Sequence, residues 1–231
     1  MQYSGGKEKI AGAVVEVLQP YVDAAGAYCE PFLGGASVFA RIRAPVKYGS
    51  DANPWLMCMW QAVLDGWRPP ESLDEDTYAH LKAEKPMHPI TAFAGFGCSF
   101  GGKWFGGPAR DSAGKSYAAI AARSIAKKIR GFGGCSLMCA PYDECTVPAG
   151  AVVYCDPPYA GTLGYAATGN FDHTAFWEGV RRAERAGHVV FVSEYTAPED
   201  FEVVATFAKK VTMSKVNGYV EKGEKLFRLR R

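Results

Sequence analysis

The sequence predicts an α/β fold built on a mostly parallel sheet, and three observations predict it. Within residues 27–51 a strand, a glycine turn, a helix-like run and a second strand follow one another. That is the order of a βαβ unit, whose strands lie parallel. The pattern resumes at Ala151-Val152-Val153-Tyr154-Cys155, a wholly apolar strand. Between these stretches the composition changes, so one domain carries an insertion.

The chain has 231 residues, enough for one sizeable core or one domain with a smaller inserted lobe. At 48% hydrophobic and 22% charged residues it is ordinary globular material, neither disordered nor collagenous. No apolar run approaches the roughly 18 residues of a membrane span. The start, MQYSGGKEKI, has no apolar core of a secretory signal. Seven cysteines at irregular spacing argue against a disulfide framework and for a reducing, cytosolic setting. A formal net charge of +2, taken alone, argues against a protein that grips nucleic acid.

Taken in order, Ile10, Val14, Val17 and Leu18 share one face of a helix from Lys7, with Pro20 as its expected stop. Ala27 to Phe32 reads as a short strand running into Gly34-Gly35, followed by a helix-like stretch from Ala36 to Ile42. Residues 46–51 form a second strand. Asn53 is an N-cap and Pro54 the first residue of an apolar helix reaching Leu64, with Gly66 as its stop. Residues 65–84 are acidic. Residues 95–115 are glycine-rich with embedded aromatics and read as a mobile loop, and Tyr117 to Arg130 as a helix. A helix from Thr174 to Ala186, a strand from His188 to Val192 and alternating strands over 202–230 complete the chain. Asn217-Gly218 is the expected hairpin turn. The expected division is 1–67 with 141–231 as the main domain and 68–140 as the inserted lobe.

Asp156-Pro157-Pro158-Tyr159 stands at the carboxyl end of the apolar strand, the edge of an open α/β sheet where ligands bind. Two prolines fix φ and carry no N–H, so nearby carbonyls are rigidly aimed. A carboxylate beside such a carbonyl makes a two-acceptor clamp for an –NH₂ group, and Tyr159 offers a flat face for a ring. By average residue frequencies this tetrapeptide arises by chance in roughly one chain of this size in a thousand.

Glu30-Pro31-Phe32-Leu33-Gly34-Gly35-Ala36-Ser37 places glycines between strand and helix, where a ligand can approach the backbone. It is not the G-x-G-x-x-G of dinucleotide sites. Asp51 ends the next strand, where an acid can accept from ribose hydroxyls. Together these suggest an adenosine-type cofactor with no pyrophosphate. Tyr3-Ser4-Gly5-Gly6-Lys7 adds a Gly-Gly pair and a lysine before a helix, a site for a carboxylate or phosphate.

In chain order, Tyr3-Ser4-Gly5-Gly6-Lys7, Glu30-Pro31-Phe32-Leu33-Gly34-Gly35, Asp51-Ala52-Asn53 and Asp156-Pro157-Pro158-Tyr159 resemble the Dam-type DNA adenine methyltransferases over about residues 2–66 and 132–195. The resemblance implies a Rossmann-like S-adenosylmethionine-dependent methyltransferase fold: a mostly parallel seven-stranded sheet with an inserted, largely helical DNA-recognition lobe. It implies that S-adenosylmethionine is held by Tyr3, Gly5, Gly6, Lys7, Glu30, Pro31, Phe32, Gly34, Gly35, Ser37, Asp51, Asn53 and Asp156, with no metal. Asp156, Pro157, Pro158 and Tyr159 are the implied catalytic group, acting on the N6 amine of an adenine turned out of the stack. The weaker likeness of Cys139-Ala-Pro-Tyr-Asp143 to a family stretch brings Tyr142 and Asp143 to the base pocket. The same chemistry on RNA adenine or on cytosine N4, and a non-catalytic nucleic-acid-binding module, are the alternatives. Double-stranded DNA is the implied partner of a monomer or weak dimer in a bacterial or phage-infected cytoplasm, including restriction–modification settings. The chain departs from the pattern at Ala36, where many relatives have glycine, and in its central lobe.

Cys135-x₃-Cys139-x₅-Cys145 lacks the second pair a zinc site needs. His173 and His188 read as a helix start and a strand edge, and Trp55 and Trp60 as helix core. Trp104 and Phe105, flanked by glycines and Lys103, are candidates for DNA contact. The near-neutral charge is an average. Residues 95–141 carry Lys103, Arg110, Lys115, Arg123, Lys127, Lys128 and Arg130 against Asp111 alone, and residues 209–231 are also basic. Both segments are candidates for phosphate contact.

Overall fold

The computed structural model describes residues 1–110, 114–159, 171–207 and 223–230. A seven-stranded sheet organises them, in the order β3-β2-β1-β4-β5-β7-β6. The strands are β1 (Ala27–Glu30), β2 (Val46–Asp51), β3 (Ser136–Cys139), β4 (Val152–Cys155), β5 (Val189–Glu194), β6 (Phe201–Phe207) and β7 (Glu224–Leu229). The first five are parallel to one another, whereas β7 runs antiparallel between β5 and β6. The register sets Glu30 beside Gly49 and Cys29 beside Val153. Glu30, Asp51 and Asp156 therefore emerge together at the carboxyl edge of three adjacent strands.

Period-two alternation sorts the sheet residues onto two cores. Tyr28, Val152, Tyr154, Phe191 and Leu226 face one side, against Val14 and Leu18 of α1 (Ala11–Ala25) and Leu56 and Trp60 of α2 (Pro54–Leu64). Ile125 of α5 (Tyr117–Ile129) joins the same core, as does Phe132. Cys29, Val153, Cys155, Val190, Val192 and Phe227 face the other side, against Phe176, Trp177 and Val180 of α6 (His173–Arg185). A small third cluster joins Tyr78 and Leu81 of α3 (Glu75–Glu84) to Ala94 and Phe105. No helix among the described residues is long and apolar enough to cross a membrane.

Helix starts follow their caps. Asn53 accepts from the Leu56 N–H with Pro54 behind it, and Asp172 accepts from the Ala175 N–H. The acidic stretch 65–84 supplies Asp74, which caps α3 by accepting from Thr77, and Glu75 and Asp76 in its first turn.

Three local expectations are corrected. Pro20 does not end α1 but lies inside it. The carbonyl four residues back belongs to exposed Glu16, open to solvent, so the missing donor costs little, while buried Leu18 and Val22 hold the helix to the sheet. Residues 36–42 form successive turns rather than a helix. Ala36 sits at a left-handed φ of 52°, which breaks helical geometry at its start. Buried Lys47 then satisfies the free carbonyls, donating to those of Phe39 at 2.5 Å and Ile42 at 3.1 Å. The glycine-rich run is packed rather than loose. Phe93–Gly97 is a wholly buried π-helical turn after the short α4 (Pro89–Ala92). A Cβ on Gly102 would come within 2.5 Å of the Tyr3 nitrogen, and the Ser4 N–H donates to the Gly102 carbonyl at 3.0 Å. Asn217-Gly218 and Asp111 lie outside the described residues.

Candidate active site

The turn after β1 is held from three sides. Asp51 accepts from the Gly34 N–H through Oδ2 and from the Asn53 N–H through Oδ1, both at 2.9 Å. The Trp60 indole donates to the Gly34 carbonyl at 3.0 Å. Gly34 has φ 47°, and a Cβ there would meet Tyr3 Cε1 at 2.9 Å; a Cβ on Gly35 would meet Tyr3 Cβ at 3.0 Å. The glycines are thus required both by backbone conformation and by the ring of Tyr3 lying against them. Burial pushes the Asp51 carboxyl upward, opposed by its two backbone donors.

Lys7 is the electrostatic centre. Its Nζ lies 2.6 Å from Asp156 Oδ1, 3.4 Å from Glu224 Oε1 and 4.7 Å from the centre of the Tyr159 ring. It also donates to the Gly5 carbonyl at 3.2 Å. Burial alone would lower its pKa, but the two carboxylates outweigh burial and raise it. Burial pushes Asp156 up to about 6 even though Lys7 pulls it down. Glu30, 3% exposed, is pushed by burial up to about 8; its Oε2 accepts from the Tyr28 hydroxyl at 2.7 Å.

These groups surround one cavity of about 220 Å³. Tyr3, Gly5, Gly6, Lys7, Glu30, Pro31, Phe32, Gly34, Gly35, Ser37, Asp51, Asn53 and Asp156 all line it, so every residue expected at the cofactor borders the same space. Pro158 and Tyr142 line it too. Pro157 is buried beneath, and Tyr159 stands behind Lys7 with its ring edge-on to Tyr195 at 4.8 Å. One wall is aromatic: Phe32 stacks on Tyr142 at 5.4 Å and meets Phe171 edge-on at 5.9 Å.

Sequence reasoning missed Phe171 and Glu224. Phe171 stands alone before a helix cap, and Glu224 lies in a strand whose sequence reads as an ordinary amphipathic edge. Neither carries a local motif.

The basic candidates divide. Arg123, Lys127 and Arg130 are exposed on and just after α5, and Lys115 precedes it, also exposed. Lys103 is exposed beside Phe100, which is 68% exposed and was not singled out from sequence. Arg110 is exposed but clasped by Glu75 through two bonds, at 2.8 and 2.6 Å. Lys128 is corrected: it faces inward, 5% exposed, and donates to the Gly35 carbonyl at 2.5 Å and Ser37 Oγ at 2.8 Å. It also pairs with Glu8 at 3.1 Å. The helical period puts it one step round from Lys127, on the apolar face of α5. Phe105 is buried, and Trp104 packs on Phe96 at 4.7 Å and Trp55 at 5.4 Å, so these rings form an internal stack. Asp143 is exposed outside the cavity lining. Among the described residues no group of three or more His, Cys, Asp or Glu side chains could hold a metal. Cys145 instead sits 3.4 Å from Cys29, sulfur to sulfur.

Residues 3–94 match the family model of the D12 class N6 adenine-specific DNA methyltransferases. The match is consistent with the Dam-type resemblance, and it covers Tyr3 to Lys7, the glycine turn, Asp51 and Asn53. No curated protein matches the chain.

Proposed function

We propose that this protein transfers a methyl group from S-adenosylmethionine to the N6 amine of an adenine turned out of DNA, on a Rossmann-like methyltransferase fold. One observation carries the reading: Asp156 meets Lys7 in the wall of the cavity that Asp51 and the Gly34-Gly35 turn also line. The family matched by residues 3–94 is one of DNA adenine methyltransferases, which supports the same reading.

The residues fit the cofactor. Each Asp51 oxygen accepts one backbone N–H and keeps a lone pair that can accept from a ribose hydroxyl. Phe32 and Tyr142 offer flat apolar faces for a purine. The glycine turn lets a ligand reach the backbone where a Cβ would stand. When bound, the cofactor supplies a methyl group on a sulfonium, a leaving group that needs no acid.

The chain has to orient the amine. Asp156 and the Pro157 carbonyl would accept the two amine hydrogens, drawing the nitrogen lone pair out of conjugation and toward the methyl. Tyr159 would stack on the base. Positioning in line supplies much of the rate. A buried site withholds competing water, which strengthens each of these contacts. The stretch 68–140 is proposed as the recognition lobe, with Lys103, Arg123, Lys127 and Arg130 toward phosphates. Phe100, an exposed ring on a glycine-rich tip, is suited to stacking on a base.

Plasmid DNA and total RNA incubated with the protein and isotopically labelled cofactor, then digested to nucleosides, identify the product by mass. N6-methyladenine in DNA is the expected product. Methylated RNA adenine or N4-methylcytosine would replace the substrate assignment, and no product would return the chain to a binding module. Asp156→Ala should abolish transfer while the protein stays folded; an active variant would overturn the catalytic role.

A further inference from the structure

Buried Lys7 poses a problem for the proposed reaction. Its ammonium sits on Asp156 Oδ1 at 2.6 Å, the group that must accept from the target amine. If the ammonium simply left, a buried cation would be stranded without a partner, which is costly. Glu224 supplies the alternative. It lies at the first position of β7, 8% exposed, and its Oε1 is buried without a hydrogen bond among the described residues. The Lys7 ammonium already lies 3.4 Å from it. One closely seated carboxylate and a second, more distant one therefore share a single ammonium.

We propose that Glu224 is a positioning residue for methyl transfer: it receives the Lys7 ammonium as the amine arrives, freeing Asp156 to act as acceptor. The inference rests on the methyltransferase reading above. In the transfer itself, the amine nitrogen's lone pair forms the bond to the methyl carbon. The carbon–sulfur bond breaks with its pair staying on sulfur, and one amine proton passes to the Asp156 carboxylate. Charge balances throughout, because Lys7 and Glu224 remain a neutral pair beside it. The groups facing Asp156 are Lys7, Glu224, Tyr159, Glu30 and its own strand's Tyr154 and Cys155. Those facing Glu224 are Lys7, Asp156, Tyr159 and Tyr154.

The test measures single-turnover methylation of plasmid DNA across pH for wild type, Glu224→Gln and Glu224→Asp, with cofactor affinity by calorimetry. Glu224→Gln leaves Lys7 fixed on Asp156 and removes a neighbouring negative charge. The expected result is a rate at least tenfold lower, cofactor affinity within about twofold, and an acid limb displaced to lower pH. Glu224→Asp withdraws the carboxylate by one methylene and should lose part of the rate while keeping the wild-type acid limb. A wild-type rate in either folded variant overturns the proposal. So does a slower Glu224→Gln whose acid limb has not moved, since that marks a merely structural role. Should Glu224→Gln fail to fold, the Glu224→Asp rate decides alone. A wild type inactive on DNA and RNA alike sinks the methyl-transfer reading, and this role with it.

Discussion

Trp60, in the middle of α2, donates its indole N–H to the carbonyl of Gly34 at 3.0 Å. A fully buried core side chain thereby fixes the turn that lines the cavity. Trp60→Phe would keep most of the packing but orphan a buried carbonyl. The expected loss is about 2 kcal/mol in urea unfolding. Cofactor affinity should fall several-fold, because the glycine turn is no longer held; unchanged calorimetric affinity would show that Asp51 alone suffices.

Glycine substitutions separate the turn from the rest of the chain. Gly35→Ala drives a methyl into Tyr3, and Gly34→Ala adds a strained left-handed φ to the same collision. Both should lower cofactor affinity at least about tenfold. Gly12 in α1 meets nothing within 4 Å, so Gly12→Ala should stabilise the fold by roughly 0.5–1 kcal/mol and leave affinity unchanged.

How much of this was legible in the sequence depends on whether a residue acts locally. Asn53-Pro54 announces a helix start because capping involves only its immediate neighbours, and the structure has the cap where the motif puts it. Glu30, Asp51 and Asp156 could be gathered at one edge because parallel strands place their carboxyl ends together. Lys47 shows where legibility stops. In a strand it reads as a solvated residue, yet it is buried and donates to carbonyls at 39, 42 and 131, a partnership that only the tertiary fold creates. Ala36 and Pro20 mislead for the same reason: propensity is overridden by contacts distant in sequence.

Lys47 makes that point measurable. Its burial lowers the pKa to about 8, so the charge itself is a cost, but Lys47→Met would leave three carbonyls without their donor. A loss of about 3 kcal/mol is expected in denaturant unfolding. A neutral result would mean that residues 36–42 satisfy their carbonyls by other means.

Glu30 predicts a pH dependence of stability. Its folded pKa of about 8 lies above the ordinary 4.5, so between those values the folded state holds a proton that the unfolded state has lost. Its stabilising contribution is complete below the ordinary value and disappears as pH rises through about 8. Asp156, raised to about 6, adds a similar fall at lower pH. Melting of the ligand-free protein should therefore be read between about pH 6.5 and 9, beyond most of the Asp156 contribution. The Tm of wild type relative to Glu30→Gln should decline up to about pH 8 and level off above it, since the subtraction removes groups such as Lys47 whose lowered pKa acts with the opposite sign.

Lys127 and Lys128 are neighbours in sequence with opposite expected phenotypes. Lys127 is exposed, and if it meets a phosphate, Lys127→Ala should reduce the slope of log affinity for DNA against log salt by about one. Lys128 is buried against the Gly35 carbonyl, Ser37 and Glu8, with its pKa lowered by burial against the pull of Glu8. Lys128→Ala should leave the salt slope unchanged and instead cost about 2 kcal/mol of stability, since the Gly35 carbonyl and the Ser37 hydroxyl lose a buried donor while half-exposed Glu8 keeps Arg41. The glycine turn would loosen with it, so cofactor affinity should fall as well. Fluorescence-anisotropy titrations of duplex DNA at several salt concentrations, paired with urea melts, distinguish the two. A changed salt slope in Lys128→Ala would mean that this lysine reaches DNA after all, and that α5 turns outward when the duplex binds.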